Sequence, residues 1–371
     1  MNKENLEKII ELRHELHKNP ELSLHETNTI KTIRAFLTGN TSLSVEERDG
    51  WLFAVKKGNA PSSGGIAFRA DLDALPIDET GSGLPYESAS KGISHKCGHD
   101  GHAAALCGLA LELDNTETEK SVYLIFQGAE EIGEGAKKIV PFLKKKDIRE
   151  IYAFHNLPGY PEGELVYRRE LSQPASEGLS IGFQGKPSHA SAPEEGANPA
   201  ALIAGTVLQI QKLLDRPHEG MVQGTVVGME AGSGDFGISP GEGTLMLTLR
   251  AENEQEMKML EEEILAYVQE GADAANIRIG FQRSDYFPET RNHERAIEKV
   301  LAAADRLSLP HHEMESLWRA SEDFGYYLKE CEGAIVYIGA GEEWPALHTA
   351  GYDYNDNIPE TAVDLFLALA D

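Results

Sequence analysis

Within the six residues Cys97-Gly98-His99-Asp100-Gly101-His102 stand one thiol, two imidazoles and a carboxylate, a density of metal-ligating groups that ordinary packing does not require. Three further groups, Glu130-Glu131, His155 and His348, each lie just beyond a short apolar run. Cys97, His99, Glu131, His155 and His348 together offer five ligand side chains of borderline softness, suited to zinc, cobalt, manganese or nickel rather than calcium or magnesium. Two ions suit such a set better than one, in the arrangement used to hydrolyse acyl bonds, and the neighbouring Glu130 is then free to act as a general base. Taken singly, each group has a plainer explanation. A lone His155 or His348 reads as a hydrogen-bonded histidine at a strand end, and Glu130-Glu131 read as acids at the positive end of a helix over residues 131–143.

The apolar runs that must position these groups alternate in period. Strand-like runs at 65–68, 122–126 and 151–154 are interleaved with helical patterns at 103–113 and 132–143, which predicts an α/β fold with a mainly parallel sheet. The pattern returns as a helix at 321–329, a strand at 334–338 and a helix at 360–370, so the first and last thirds are expected to form one domain. In open parallel sheets, functional residues gather beyond the carboxyl ends of the strands. Asp71 and Asp73 follow the first of these strands, Glu130-Glu131 the second and His155 the third, while His348 comes one loop after the fourth. Their convergence on one face outweighs the separate plain explanations.

Between these thirds the order changes to strand 178–183, helix 198–214, strands 224–229 and 243–250, helix 255–270 and strand 277–282. This is the β-α-β-β-α-β order of an inserted ferredoxin-like α+β domain. Polar turns at Ser172-Gln173-Pro174 and Tyr286-Phe287-Pro288 set the expected borders: residues 1–172 and 287–371 for the catalytic domain, 173–286 for the insert. A chain of 371 residues accommodates two such domains.

The balance of 61 acidic against 34 basic residues, a formal charge of −27, repels nucleic acid phosphate and anionic lipid, so neither partner is expected. No apolar run approaches the ~20 residues of a membrane span, and the N-terminus runs straight into an amphipathic pattern at Leu6, Ile9, Ile10, Leu12 and Leu16. Cys97, Cys107 and Cys331 are too few and too scattered for a disulfide framework. A cytoplasmic protein is expected.

Nine segments in order then carry a family resemblance: residues 12–22 (LRHELHKNPEL), 68–76 (FRADLDALP), 97–102 (CGHDGH), 126–131 (FQGAEE), 155–158 (HNLP), 185–190 (GKPSHA), Asn198-Pro199, Glu322-Asp323-Phe324 and Leu347-His348. Over nearly its whole length the chain resembles the metallo-amidohydrolase branch of the aminoacylase and carboxypeptidase family, which includes hippurate hydrolases, auxin-conjugate hydrolases and N-acetyl-diaminopimelate deacetylases. The resemblance implies a dinuclear metallohydrolase domain with an inserted dimerisation or lid domain. It assigns Cys97, His99, Glu131, His155 and His348 as ligands of two divalent ions, Glu130 as the base, and His189 as a residue that reaches across a homodimer to the developing oxyanion. Asn198 and Arg250 are candidates to hold a substrate carboxylate, although Arg250 reads equally as a solvated surface residue. Asp71 and Asp100, with Asp73 and His102 of similar standing, are candidates to fix the second ring nitrogens of ligating histidines; the aspartates read as well as turn residues. Trp344 and Tyr352, flanking His348, are either pocket walls or loop anchors.

The implied reaction is hydrolysis of the amide bond of an N-acyl amino acid. A dipeptidase or carboxypeptidase would use the same metals, and a metal-holding binding protein on an inactive hydrolase scaffold is the alternative from another class. Two departures from the family pattern stand near the ligands: Gly128 where relatives carry proline, and Ala350 where a proline often follows the histidine. Both bear on loop stiffness.

Overall fold

The computed structural model describes residues 1–60 and 64–370. The chain opens with α1 (Lys3–Lys18), which buries Ile9, Leu12 and Leu16 at helical spacing, and α2 (Thr27–Asn40), followed by the hairpin β1 (Ser44–Arg48) and β2 (Trp51–Lys56). Next come β3 (Gly65–Asp71), α3 (His99–Asp114), β4 (Ser121–Gln127), α4 (Gly135–Lys145), β5 (Ile148–Leu157), β6 (Leu165–Tyr167) and β7 (Leu171–Gln173). A second compact unit then holds β8 (Ala175–Gln184), the short β9 (Ser188–His189), α5 (Ala200–Leu214), β10 (Val222–Ala231), the short β11 (Ile238–Ser239), β12 (Glu242–Ala251), α6 (Glu254–Ala275) and β13 (Arg278–Phe287). The first unit resumes with β14 (Thr290–Arg291), α7 (Glu294–Arg306), β15 (His311–Glu313), α8 (Gly325–Leu328), β16 (Glu332–Gly339) and α9 (Pro359–Ala370).

Among the described residues, eight strands of the first unit form one sheet in the order β1-β2-β4-β3-β5-β16-β6-β15. Its centre, β4-β3-β5-β16, is parallel, and antiparallel pairings join β1 to β2, β2 to β4 and β16 to β6. The central strands are near-continuous apolar runs because both faces are covered. On one face α1, α2, α3, α7 and α9 bury Leu12, Ile33, Leu106, Val300 and Phe366 against Phe68, Leu124 and Phe154. On the other, α4 and α8 bury Ile139, Phe142 and Tyr327 against Phe53, Ile125 and Ile335. α3 is apolar nearly all round, as a helix enclosed by others must be.

The second unit comprises Gln173–Glu289 with Trp318–Ser321. Its border falls at Glu289, beyond the Tyr286 turn, because β13 runs on to Phe287, where it pairs with Ser176. Its sheet has the order β10-β12-β8-β13, antiparallel throughout, the strand order that a β-α-β-β-α-β chain produces when folded in the ferredoxin-like manner. α5 and α6 cover one face with Ile203, Ile210, Leu260 and Ile264.

Two expected helices are shorter than their patterns. α4 starts at Gly135 instead of residue 131 or 132, because Ala129 and Gly133 take φ of +56° and +69° and turn the chain between them. Glu130-Glu131 therefore sit in a turn, not at a helix start. α8 is confined to Gly325–Leu328 within the expected 321–329, since Glu322 Oε1 accepts the Phe324 N–H at 3.0 Å and diverts the backbone from a helical ladder.

Candidate metal centre

The ligand candidates in the first unit come from four places in the fold. Cys97 and His99 bracket Gly98 at the start of α3, Glu130 and Glu131 occupy the turn after β4, His155 lies within β5 near its carboxyl end, and His348 stands in the loop between β16 and α9. The tight start of α3 depends on Gly98, at φ +97°, where a Cβ would lie 2.4 Å from Asn156 Nδ2 and 2.7 Å from Tyr352 Oη.

The structure brings the side chains together. Cys97 Sγ is 3.4 Å from His155 Nε2 and 3.2 Å from His348 Nε2. Glu131 Oε1 is 3.8 Å from His99 Nε2 and 3.7 Å from His348 Nε2, and Glu130 Oε2 is 3.9 Å from His99 Nε2. Two sets of possible ligand atoms, Cys97/His99/His155 and Cys97/Glu131/His348, share the thiol, and a third joins His99, Glu130 and Glu131.

The second ring nitrogens decide the tautomers. His99 Nδ1 donates to the Asp73 carbonyl at 2.9 Å and His155 Nδ1 to the Asn156 carbonyl at 2.7 Å. A carbonyl only accepts, so the neutral rings carry their lone pairs on Nε2, the nitrogens that face the other candidates. His99 Nε2 and Glu131 Oε1 are buried polar atoms without a hydrogen-bond partner among the described residues. Such atoms are costly unless something engages them.

The electrostatics point the same way. Burial, then Glu131 and Glu130, pushes the Cys97 thiol well up, and burial with neighbouring acids raises Glu130 strongly and Glu131 to about 7. Burial opposes charge on His99, but Asp71, Asp73 and Glu131 outweigh it and raise its pKa to about 10. Acids, a thiol and imidazoles packed this closely need a positive counter-charge, and divalent cations fill that need with the donor atoms present. The residues fit a metal centre.

Around this cluster lies a set of buried polar groups whose roles differ from the sequence reading. Asp71 Oδ1 accepts from His102 Nδ1 at 2.7 Å, and His102 Nε2 accepts the Asn156 N–H at 3.1 Å, so both His102 nitrogens are engaged away from the other candidates. Asp100 does not bond either of the candidate ligands His99 and His155: its Oδ2 is 2.8 Å from His17 Nδ1 and 3.5 Å from Arg13 Nη1. Asp73, named with it in the sequence reading, does face His99 Nδ1, with its backbone carbonyl at 2.9 Å and its Oδ1 at 3.3 Å, while its Oδ2 accepts the Glu131 N–H at 2.9 Å. Tyr352 is fully buried and bonds Asn156, so it is an anchor and no pocket wall; Trp344 Nε1 donates to Asp353 O at 2.7 Å.

Sequence reasoning gave no role to Arg69, Glu322 or Asp323. The fully buried Arg69 guanidinium holds Asp71 at 2.7 Å and Glu322 and Asp323 each at 3.0 Å, while Gln127 Oε1 accepts its Nε–H at 3.0 Å. Three acids within two short motifs, each beside a strand or helix terminus, were the available signal.

In the second unit His189 is exposed, with Nδ1 2.7 Å from Ser191 Oγ. Asn198 accepts the Ala200 N–H at 2.9 Å at the start of α5 and donates to Ser239 Oγ at 3.2 Å. Arg250 Nη1 donates to Arg319 O at 3.0 Å and Ser321 Oγ at 2.9 Å, which is why Trp318–Ser321 packs with this unit.

Comparison with known proteins agrees with this geometry. The chain is 29% identical to a hippurate hydrolase of Campylobacter jejuni over 97% of its own length and 94% of the relative's. It is 30% identical to an N-acetyl-L-cysteine deacetylase of Bacillus subtilis over 98% of this chain and 86% of that one. A solved Bacillus subtilis structure, described as a dinuclear metal binding peptidase, superposes with a TM-score of 0.84 at 25% identity, covering 100% of this chain and 98% of the other. With residues 67–371 matching the model of peptidase family M20/M25/M40, the chain belongs to that family.

Proposed function

We propose that this protein is a metal-dependent amidohydrolase that cleaves the amide bond of N-acyl amino acids to a carboxylic acid and a free amino acid. The observation that carries the reading is the gathering of Cys97, His99, Glu131, His155 and His348 beside the carboxyl of Glu130. Relatives named for hippurate and for N-acetyl-L-cysteine support the substrate class. Two divalent ions held by those five side chains, whether zinc, manganese, cobalt or nickel, would polarise the amide carbonyl and make water a nucleophile at neutral pH.

Glu130 takes the proton of the attacking water on its carboxylate and returns it to the leaving nitrogen. Asp73 orients His99 and, through the Glu131 N–H, holds the turn that carries the base. His189 is assigned as the oxyanion donor supplied by a second subunit, its ring steadied by Ser191. Asn198 and Arg250 are assigned to the substrate carboxylate, Arg250 through the part of its fork not given to Arg319 and Ser321. The homodimer reading rests on the second unit, whose edge strand β10 exposes Val226, Val227 and Met229. No helix among the described residues is long and apolar enough to cross a membrane. The three cysteines are free, which favours a cytoplasmic setting.

The test is release of free amine from N-acetyl, N-benzoyl and N-acyl-diamino acids and from simple dipeptides, with manganese, cobalt or zinc beside a chelated control. Metal-dependent cleavage of the acyl amino acids is expected. Preference for dipeptides would move the assignment to a peptidase, and silence with every metal would reject catalysis. Glu130→Gln is expected to abolish turnover with metal content unchanged.

A further inference from the structure

Lys96 precedes Cys97, and its side chain is buried at 1% exposure, a rare state for lysine unless it is paired. Its Nζ forms an ion pair with Glu79 and donates to the Tyr352 carbonyl at 2.7 Å. Its own carbonyl accepts the His348 N–H at 2.7 Å. Lys96 thus joins its own loop, which carries Cys97, to the loop that carries His348 at two points. The side chains these loops deliver lie with Sγ and Nε2 3.2 Å apart.

His348 needs such a hold. Its side chain is 51% exposed and its φ is +61°, a left-handed conformation that a residue with a Cβ adopts only where surrounding contacts enforce it. The grip also has a rigid backing. Both Glu79 carboxylate oxygens are 3.2 Å from His17 Nε2, and His17 Nδ1 is 2.8 Å from Asp100 Oδ2. Asp100 follows His99. The residues flanking Cys97-Gly98-His99 are therefore the two ends of one buried chain of alternating basic and acidic groups: Lys96, Glu79, His17 and Asp100.

We propose that Lys96 is a positioning residue for metal binding, which sets the spacing of Cys97 and His348 by clamping their two loops; the inference rests on the metal-centre reading above. With Nζ engaged on both sides, Lys96 acts through the loops and not on a substrate. An uncharged side chain of similar length would lose the Tyr352 contact and leave Glu79 with His17 as its cationic partner.

The test compares the unsubstituted protein with Lys96→Met and with Lys96→Met/Glu79→Gln, the second of which also removes the buried charge that the first leaves with one fewer partner. Each is stripped of metal and titrated with cobalt(II), read by the cobalt–thiolate charge-transfer absorption of Cys97 and by calorimetry, with circular dichroism reporting the fold. Absence of the thiolate band in the unsubstituted protein would overturn the metal reading, and this proposal with it. With the band present, a folded variant is expected to bind cobalt roughly 10–100-fold more weakly. Its kcat should recover in excess cobalt and its KM stay unchanged, which general destabilisation would not produce. Unchanged cobalt affinity in a folded variant would overturn the role of Lys96 while leaving the metal reading intact. A second measurement needs no variant: in the metal-free protein, the His348 amide, bonded to the Lys96 carbonyl, should resist hydrogen exchange more than the amides of the exposed Thr349, Ala350 and Gly351. Protection of the His348 amide that arises only on adding cobalt would show that metal, and not Lys96, orders the loop.

Discussion

Replacing Glu26 with Gln should stabilise the metal-free protein by about 3 kcal/mol at pH 8 and by less than about 1 kcal/mol at pH 5. Glu26 is buried just before α2, and its Oε1 accepts the Ala129 N–H at 2.6 Å, holding the turn that carries Glu130 and Glu131. Gly128 is what lets it approach, since a Cβ there would lie 2.7 Å from Glu26 Oε1. Burial, and then the charge of Asp73, raise the Glu26 pKa from 4.5 to about 7. A carboxyl whose pKa rises on folding favours the folded state while it is protonated in both states, below 4.5, and that advantage disappears as pH climbs through 7. The shift of about 2.5 units, at 1.36 kcal/mol each, corresponds to about 3 kcal/mol lost by pH 8. Glutamine keeps an oxygen for the Ala129 N–H and cannot ionise, so the variant should regain that amount. For a unit of this size it amounts to roughly 6 °C or more in the melting temperature. Thermal melts of chelated wild-type and E26Q protein at pH 5 and pH 8 decide the matter. An equal gain at both pH values, or none at pH 8, would refute the assignment of Glu26 as a buried, reluctantly ionised carboxyl.

Further outcomes follow from other buried groups. His17, raised to about 9 because Asp100 and Glu79 outweigh its burial, contributes stability that is complete below pH 6.5 and lost as pH rises through 9. His17→Gln should therefore flatten the alkaline fall in melting temperature between pH 7 and pH 10, and a fall of unchanged size would count against it. Gly98→Ala combines a positive φ with a Cβ 2.4 Å from Asn156 Nδ2 and should cost about 3 kcal/mol in denaturant titrations, with weakened cobalt binding. Arg69→Met strips the cation from Asp71, Glu322 and Asp323 and should cost about 3–5 kcal/mol, read as a shifted denaturation midpoint or loss of soluble protein; a variant as stable as wild type would show the three acids to be protonated already.

The fold class was legible because its signals are local. The apolar runs that became β3, β4, β5 and β16 could be placed from period alone, and the β-α-β-β-α-β order of the insert gives its sheet order by the usual packing rules. The five ligand candidates were legible through residue type joined to position, since thiols and imidazoles beyond strand ends are chemically conspicuous. What escaped was set by distant pairing. Asp100 stands beside His99 in sequence, yet α1 brings Arg13 and His17 against it and takes it out of the cluster. Asp73, a candidate for holding a histidine from its position after a strand, does face His99 Nδ1, but that its backbone carbonyl takes the closer contact could not be read from side-chain type. The start of α4 was misplaced because an acid pair before an apolar run resembles a helix N-terminus, whereas Ala129 and Gly133 fold those acids into a turn.

Ala129 and His348, both non-glycine residues at positive φ, sit where the turn bearing the proposed base and the loop bearing an exposed ligand candidate meet the cluster. Each left-handed conformation costs on the order of 1 kcal/mol or more and persists only if bonds to the surroundings exceed that. Those bonds are here: Glu26 takes the Ala129 N–H, Asp73 the Glu131 N–H, and the Lys96 carbonyl the His348 N–H. One of the three acceptors, Glu26, is a carboxylate whose burial near Asp73 raises its pKa, a placement that itself disfavours folding at neutral pH. Geometry at the cluster is thus held at the expense of stability by groups outside it, and substitutions that relieve the strain should raise the melting temperature and lower metal affinity together.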